Sequence, residues 1–442
     1  MLDEIAHDKF SKTEAANQPI FAAEPDYDAL LNRKAEILQE WKAGNKPGEK
    51  PAMSLRDYEE AQGLPDLKDP DLIPAKNTSL VINEVRKRIA REDPISLLAI
   101  ESLDFEDASI ELAESLENIN ELRDLYKLRK ISVGGNSNSG ITADEAARMK
   151  NCFSQGRELF LAGRNGSLMV KPLNFFYALT AYTYGIIILN NPLRYRKDML
   201  PGSHGMSYLP ATIQAQFGGD SPRGTFSDLV GAFPTHLVKV PGVSFNIDCA
   251  KSVMEFYQTK FDVSLGTLLS LIPEMADYYK LTTNRQSRCF PLEIVNSNDI
   301  RSVTWEFQIG NGEVRPSALA IEQAFSGFQI GERYGKTTVI VPAARSGQIR
   351  AMIYTDLRGK LWFIENPFFP IILPEVAVHF LITSMFSNIM RYRPDEWGSV
   401  LLNEVSSNIS LLTRHYFSSF QRKFLLLVLR STSRYLPYAT SA

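Results

Sequence analysis

The chain has 442 residues, 44% of them hydrophobic and 22% charged, with a formal net charge of −3. These are the proportions of a soluble globular protein; they exclude a mostly disordered chain, and the length calls for two or three domains. Cys152, Cys249 and Cys289 form no CxxC pair and leave one over in any pairing, which points to a reducing, cytoplasmic setting and to no zinc site.

The N-terminus, MLDEIAHDKF, carries acids where a signal peptide has a basic region and an apolar run. Residues 1–80 are polar and interrupted by proline, so they read as a partly extended arm. One amphipathic helix is expected within it, from Tyr27, Leu30, Leu31, Leu38 and Trp41, ending before Gly44. Residues 81–133 read as acidic amphipathic helices, with Leu112, Leu116, Ile119, Leu122 and Leu125 forming the apolar stripe. Up to residue 150 about 30 acids face about 20 bases, and the remainder has about 21 acids and 28 bases. Such a split suggests an acidic extension that meets a basic partner surface, although solvated helix faces also produce it.

GGNSNSG, residues 134–140, reads as a flexible linker, and residues 141–442 as the main core. Thr142 and Glu145 stand at capping-box spacing ahead of the buried stripe Met149, Cys152, Phe153, Leu159 and Phe160. Pro172 suits the first turn of a second helix through PLNFFYALTAYTYGIIIL, apolar nearly all round and therefore central. From Leu265 to Tyr279 a helix is expected, kinked at Pro273.

Between residues 301 and 365 the pattern changes to alternating strands, SVTWEFQI, KTTVIVP, QIRAMIYTD and KLWFIE, the last two joined by the turn DLRG. The fold class is therefore α+β, mainly α-helical, with a small inserted antiparallel sheet. GERYGKT, Gly331 to Thr337, lacks the first glycine of a phosphate loop and runs into a strand, so it reads as a hairpin turn. FFPIILPEVAVHFLITSMFSNIM is long enough to cross a bilayer, but Glu375, His379 and two prolines oppose that placement. A buried protein helix from Pro374 to Arg393, with no membrane span, is expected.

Among the five histidines His204 is the best placed for a ligand. It lies with Arg194, Arg196 and Lys197 in a loop containing Gly202 and Gly205, where backbone approaches closely and an anion would be attracted. The ordered series SQGRELFLAGRNGSLMVKPLNFFYALTAYTYGIIIL, SHG, LLSLIPEM and LPEVAVHFLITSMFSNIMRYRPDEW resembles the bacterial YaaC-like proteins over roughly residues 145–435. The resemblance implies architecture and a set of polar positions rather than a reaction: Lys171, His204, Glu375, His379, Asn388 and Arg391. The family more usually has an Asn nearer the middle of the late helix, so Asn388 departs from its pattern.

With Lys171 added to the basic loop, an anion or ligand site of Lys171, Arg194, Arg196, Lys197 and His204 is expected. Glu375, His379, Asn388 and Arg391 are expected to fix the register of the late helix. No motif calls for a cofactor or metal, and a binding or interaction protein with an acidic regulatory N-terminal extension fits best. Its partner would be a protein or an anionic ligand. A HEPN-like metal-independent ribonuclease is the competing class; its chemistry needs an Arg four to six residues before a His, but Arg196 stands too far before His204 and Arg414 adjoins His415. Non-catalytic nucleic-acid binding would rest on RHYFSSFQRKFLLLVLRSTSRY, where bases alternate with aromatics.

Overall fold

A computed structural model of the chain describes residues 95–101, 105–132, 140–193, 200, 202–249, 253–299, 302–312, 314–404 and 406–440, with residues 36, 39, 40, 43 and 44. The chain divides into two compact units, Met1–Thr78 and Ser79–Ala442. Of the helix expected from Tyr27 and ending before Gly44, Glu36, Gln39, Glu40, Ala43 and Gly44 are helical, so the helix includes the glycine expected to end it, and the rest lies outside the described residues.

The second unit opens with β1, Ser96–Glu101, which pairs in parallel with the last strand, Tyr435–Thr440, Ser96 opposite Tyr435. Helices α1, Phe105–Glu114, and α2, Ile119–Ser132, flank a 3-10 turn. Leu116, Leu122, Leu125 and Tyr126 are buried in the same core as the helices that follow. The sequence places a boundary at residues 134–140, of which 134–139 lie outside the described residues; an amphipathic helix must bury its apolar stripe, and α2, ahead of that boundary, buries its own in this core.

Helix α3, Ala143–Asn165, starts at the expected capping box: Glu145 N donates to Thr142 Oγ1 at 3.2 Å and Thr142 N donates to Glu145 Oε2 at 3.0 Å. Helix α4, Lys171–Asn190, has Pro172 in its first turn and packs along α3. Glycines allow that approach. A Cβ on Gly156 would stand 2.6 Å from the Tyr182 ring, and one on Gly185 would stand 2.1 Å from the Phe153 ring. Helix α4 is long and apolar enough to cross a membrane, yet it is mostly buried at the centre of the protein.

Two small antiparallel sheets follow. Strands β2, Ser207–Leu209, β3, Gln214–Gly218, and β6, Lys260–Ser264, form one, in that order. Strands β4, Thr235–Val240, and β5, Val243–Asp248, form the other. Helices α5, Thr225–Gly231, and α6, Val253–Phe256, lie among them. Pro273 breaks the next helix instead of kinking it: α7 is Leu265–Leu269, Pro273–Met275 is a 3-10 turn, and α8 is Ala276–Thr283. Proline removes the amide donor that a continuous helix needs.

The inserted sheet is six-stranded and larger than its sequence signal. It contains β7, Cys289–Asp299, β8, Ser302–Ile309, β9, Gln329–Arg333, β10, Lys336–Pro342, β11, Met352–Thr355, and β12, Leu361–Ile364. Its order is β11-β12-β7-β8-β10-β9. Helix α9, Ala318–Ala324, connects β8 to β9. GERYGKT is the β9–β10 hairpin, with Tyr334 and Gly335 at φ 52 and 74, as a two-residue turn requires.

Helix α10, Glu375–Tyr392, follows Pro374; α11, Pro394–Leu401, comes next, then α12, Ser407–Thr432, and β13, Tyr435–Thr440. Thus RYRPDEW ends α10 at Tyr392 and opens α11 at Pro394, and Trp397 is buried with its indole N–H donating to Met169 O at 3.2 Å. Helices α3, α4, α10 and α12 surround an aromatic core, with Phe160 stacked on Phe424 at 5.0 Å and Phe176 edge-on to Phe380 at 5.4 Å.

Candidate functional site

The late helix reaches its chemistry through α12. Glu375 in its first turn is buried, and Lys423 of α12, only 1% exposed, extends Nζ to within 2.5 Å of Glu375 Oε1 and 2.7 Å of Glu274 Oε2. Glu274 comes from the 3-10 turn created by Pro273, and its other oxygen accepts Leu357 N at 3.1 Å. Two acids from separate segments therefore close around one buried cation. Burial opposes the charge on Lys423, but Glu274 and Glu375 outweigh it and raise the ammonium's pKa. Burial pushes the Glu375 carboxyl up to about 7, against the pull of Lys423.

One turn along α10, His379 Nδ1 lies 3.1 Å from Tyr416 Oη of α12, and its Nε2 is 3.9 Å from Glu375 Oε1. Burial, with the Lys423 charge added, pushes the imidazole pKa well below its ordinary value, so His379 is neutral near pH 7. Cys289 of β7 donates to Ser270 O at 3.3 Å, and burial pushes its thiol well up. It is a packed thiol rather than an activated nucleophile.

Beside Glu375 a small solvent-open pocket, about 40 Å³ of it enclosed, has Glu375, Tyr354, His236, Lys239 and Arg430 among its polar lining. Arg430 Nη1 donates to Thr355 O at 3.2 Å, and among the described residues no carboxylate stands within ion-pair distance of its guanidinium. The Tyr354 hydroxyl donates to Leu373 O at 3.1 Å. The arrangement combines a paired carboxyl that titrates near neutrality with a cation open to a ligand.

The His204 loop is built differently. Gly205, at φ 71, crosses Gly224, where a Cβ would meet backbone at 2.8 Å. Phe226 N donates to His204 O and Thr225 N to Ser203 O, both at 2.9 Å, so the loop caps α5. The His204 ring sits edge-on to Phe176 at 5.0 Å, and burial together with the Arg391 charge lowers its pKa. Arg391 Nε is buried without a hydrogen-bond partner, and its guanidinium lies over the Tyr392 ring at 4.9 Å.

A family model for YaaC-like proteins matches residues 135–432, two thirds of the chain. The chain belongs to the YaaC-like family. No curated protein and no solved structure matches it.

Within the YaaC-like core the expected residues separate into three groups. Glu375 and His379 meet at the α10–α12 seam, whereas Asn388 donates back to Ser384 O at 2.9 Å within α10. Arg391 joins His204 rather than that seam. Lys171 donates to Arg164 O at 2.8 Å and to Gln421 Oε1 at 2.9 Å, and Gln421 in turn donates to Glu106, so this ammonium clamps α1, α3, α4 and α12 together. Arg194, Arg196 and Lys197 lie outside the described residues.

Sequence reasoning missed Lys423, Glu274, Arg430, His236 and Tyr416. Lys423 did carry a signal, because Tyr416, Phe420, Lys423 and Leu427 fall on one helical stripe, and a lysine on an apolar stripe calls for a buried acid. Glu274 sits in the quoted IPEM, but nothing local marks it as the partner.

Proposed function

We propose that this YaaC-like protein is a bacterial cytoplasmic binding protein that holds a ligand or partner on its helical core, with its acidic N-terminal extension as a regulatory arm. The observation that carries the reading is Arg430, a cation with one backbone carbonyl as acceptor at the mouth of a formed pocket. The basic loop around His204, with Arg391 beside it, is a second place where an anion would be attracted.

The competing readings fit less well. At the seam His379 is preceded four residues earlier by Glu375, not by the arginine that a HEPN-like ribonuclease needs. In the C-terminal run Tyr416, Phe417, Phe420 and Phe424 are buried in the core, so they offer no stacking platform for bases.

Native mass spectrometry of the purified full-length chain tests the proposal, with retention of a small molecule or partner protein as the expected result. Metal-independent RNA cleavage by the same preparation, in the presence of chelator, would overturn it. The regulatory arm is tested separately by comparing polyanion binding of the full chain and of residues 79–442 across a salt series. Opposite charges screen over about 8 Å at physiological ionic strength, so removing the arm should strengthen binding at low salt and matter little at high salt. Equal binding at every salt concentration would remove the regulatory role.

A further inference from the structure

The lining of the pocket beside Glu375 combines polar side chains with the apolar Leu237, Ile353, Val376 and Leu427. Arg430 gives Thr355 O one hydrogen bond, none of its other nitrogens is sealed from solvent without a partner, and its side chain lines this pocket and a smaller neighbouring one. We propose that this pocket binds a small monocarboxylate with an apolar body, its oxygens on the Arg430 fork and its hydrocarbon against Leu237, Ile353, Val376 and Leu427. The inference rests on the binding function proposed above and names its ligand class.

Two features favour a carboxylate over a phosphate. A guanidinium fork matches the two oxygens of a carboxylate, which leaves no further oxygen to desolvate against the walls. A phosphate would turn its remaining oxygens toward hydrocarbon or toward the Glu375 carboxyl. Of the cations here, Lys423 is already shared by Glu274 and Glu375, and Lys239, also in the lining, donates to Ile95 O, which leaves Arg430 for one anion.

The incoming carboxylate lies beside Glu375 and favours the protonated form of that residue, which then donates a hydrogen bond. The groups facing Glu375 are Lys423 and Arg430 from α12, Glu274 from the 3-10 turn, His379 from its own helix, Tyr354 from β11 and Cys289 from β7. His236 of β4 joins them in the pocket lining, its pKa held down at about 4 by burial and by Arg430. Burial places Glu375 at about 7, so it is the group in this set that changes charge between pH 6 and 8. Binding therefore takes up a proton and weakens as pH rises.

Titration of the full-length protein with benzoate and isovalerate, followed by calorimetry and ligand-observed NMR, tests the inference. Benzamide and isovaleramide serve as neutral controls and inorganic phosphate as the alternative anion. The acids should bind and the amides should not, and affinity should fall about tenfold from pH 6 to pH 8. Arg430→Met should weaken binding at least tenfold, Leu237→Trp should block it by filling the pocket, and Glu375→Gln should flatten the pH dependence. Circular dichroism confirms that each variant is folded, and Leu237→Trp keeps the test alive if Arg430→Met is not. Equal binding of acids and amides, or binding indifferent to both Arg430→Met and Leu237→Trp, would overturn the site. Phosphate binding that Leu237→Trp blocks, without carboxylate binding, would overturn the ligand class and leave the binding function standing. Silence from every probe, while native mass spectrometry finds a retained partner, would overturn the pocket assignment alone.

Discussion

Lys423 and Arg430 lie on one face of α12, about two helical turns apart, in opposite circumstances. Lys423 is enclosed by two carboxylates from separate segments, whereas Arg430 has a single carbonyl and an open pocket. A buried cation without counter-charge is too costly to keep, so closure around Lys423 makes it part of the fold. Burial lowers the pKa of Arg430 too, partly offset by the Glu375, Glu274 and Asp356 charges, but a guanidinium stays charged without direct closure by a carboxylate, which leaves it available to an incoming anion. Charge of one sign on one helix face thus serves assembly at one end and, in the proposed function, recognition at the other.

The largest expected effect breaks the closed side. Lys423→Met leaves Glu274 and Glu375 facing each other in the core and should cost about 3–5 kcal/mol, against no more than about 1 kcal/mol for Arg430→Met. Urea denaturation measures both, and equal losses would erase the distinction between the two cations.

Glu375→Gln sharpens the comparison through pH. The folded pKa of about 7 lies above the ordinary value of 4.5, so Glu375 contributes stability that is full below about 4.5 and is lost as pH rises through about 7. Relative to Glu375→Gln, the wild type should lose on the order of 3 kcal/mol across that window. The lowered histidines, His204, His236, His379 and His415, act in the opposite direction but are common to both proteins and cancel in the difference. A pH-independent difference would mean that Lys423 keeps Glu375 ionised throughout.

Further along the seam, His379→Leu strands the buried Tyr416 hydroxyl and should cost about 1–3 kcal/mol, read as a lowered melting temperature. Lys171→Met, at a half-buried clamp, should cost about 1 kcal/mol and leave benzoate titrations unchanged. A change in those titrations would tie the clamp to the pocket.

Periodicity alone located α3, α4 and α10, because a capping box, a proline in the first turn and an unbroken apolar face are local signals with local causes. The same signals supported an α+β class with an inserted antiparallel sheet and the hairpin at Tyr334-Gly335. They missed β7, β1 and β13, whose pairing depends on partner strands far along the chain. His379 and Glu375 were legible as polar residues in an apolar helix, but their partners were not. Glu274, Tyr416 and Lys423 come from other segments, and an ion pair depends on distance in space rather than on spacing in sequence. Only tertiary packing decided which cation was closed by acids and which was left facing a pocket, because burial and counter-charge are properties of a place and not of a residue type.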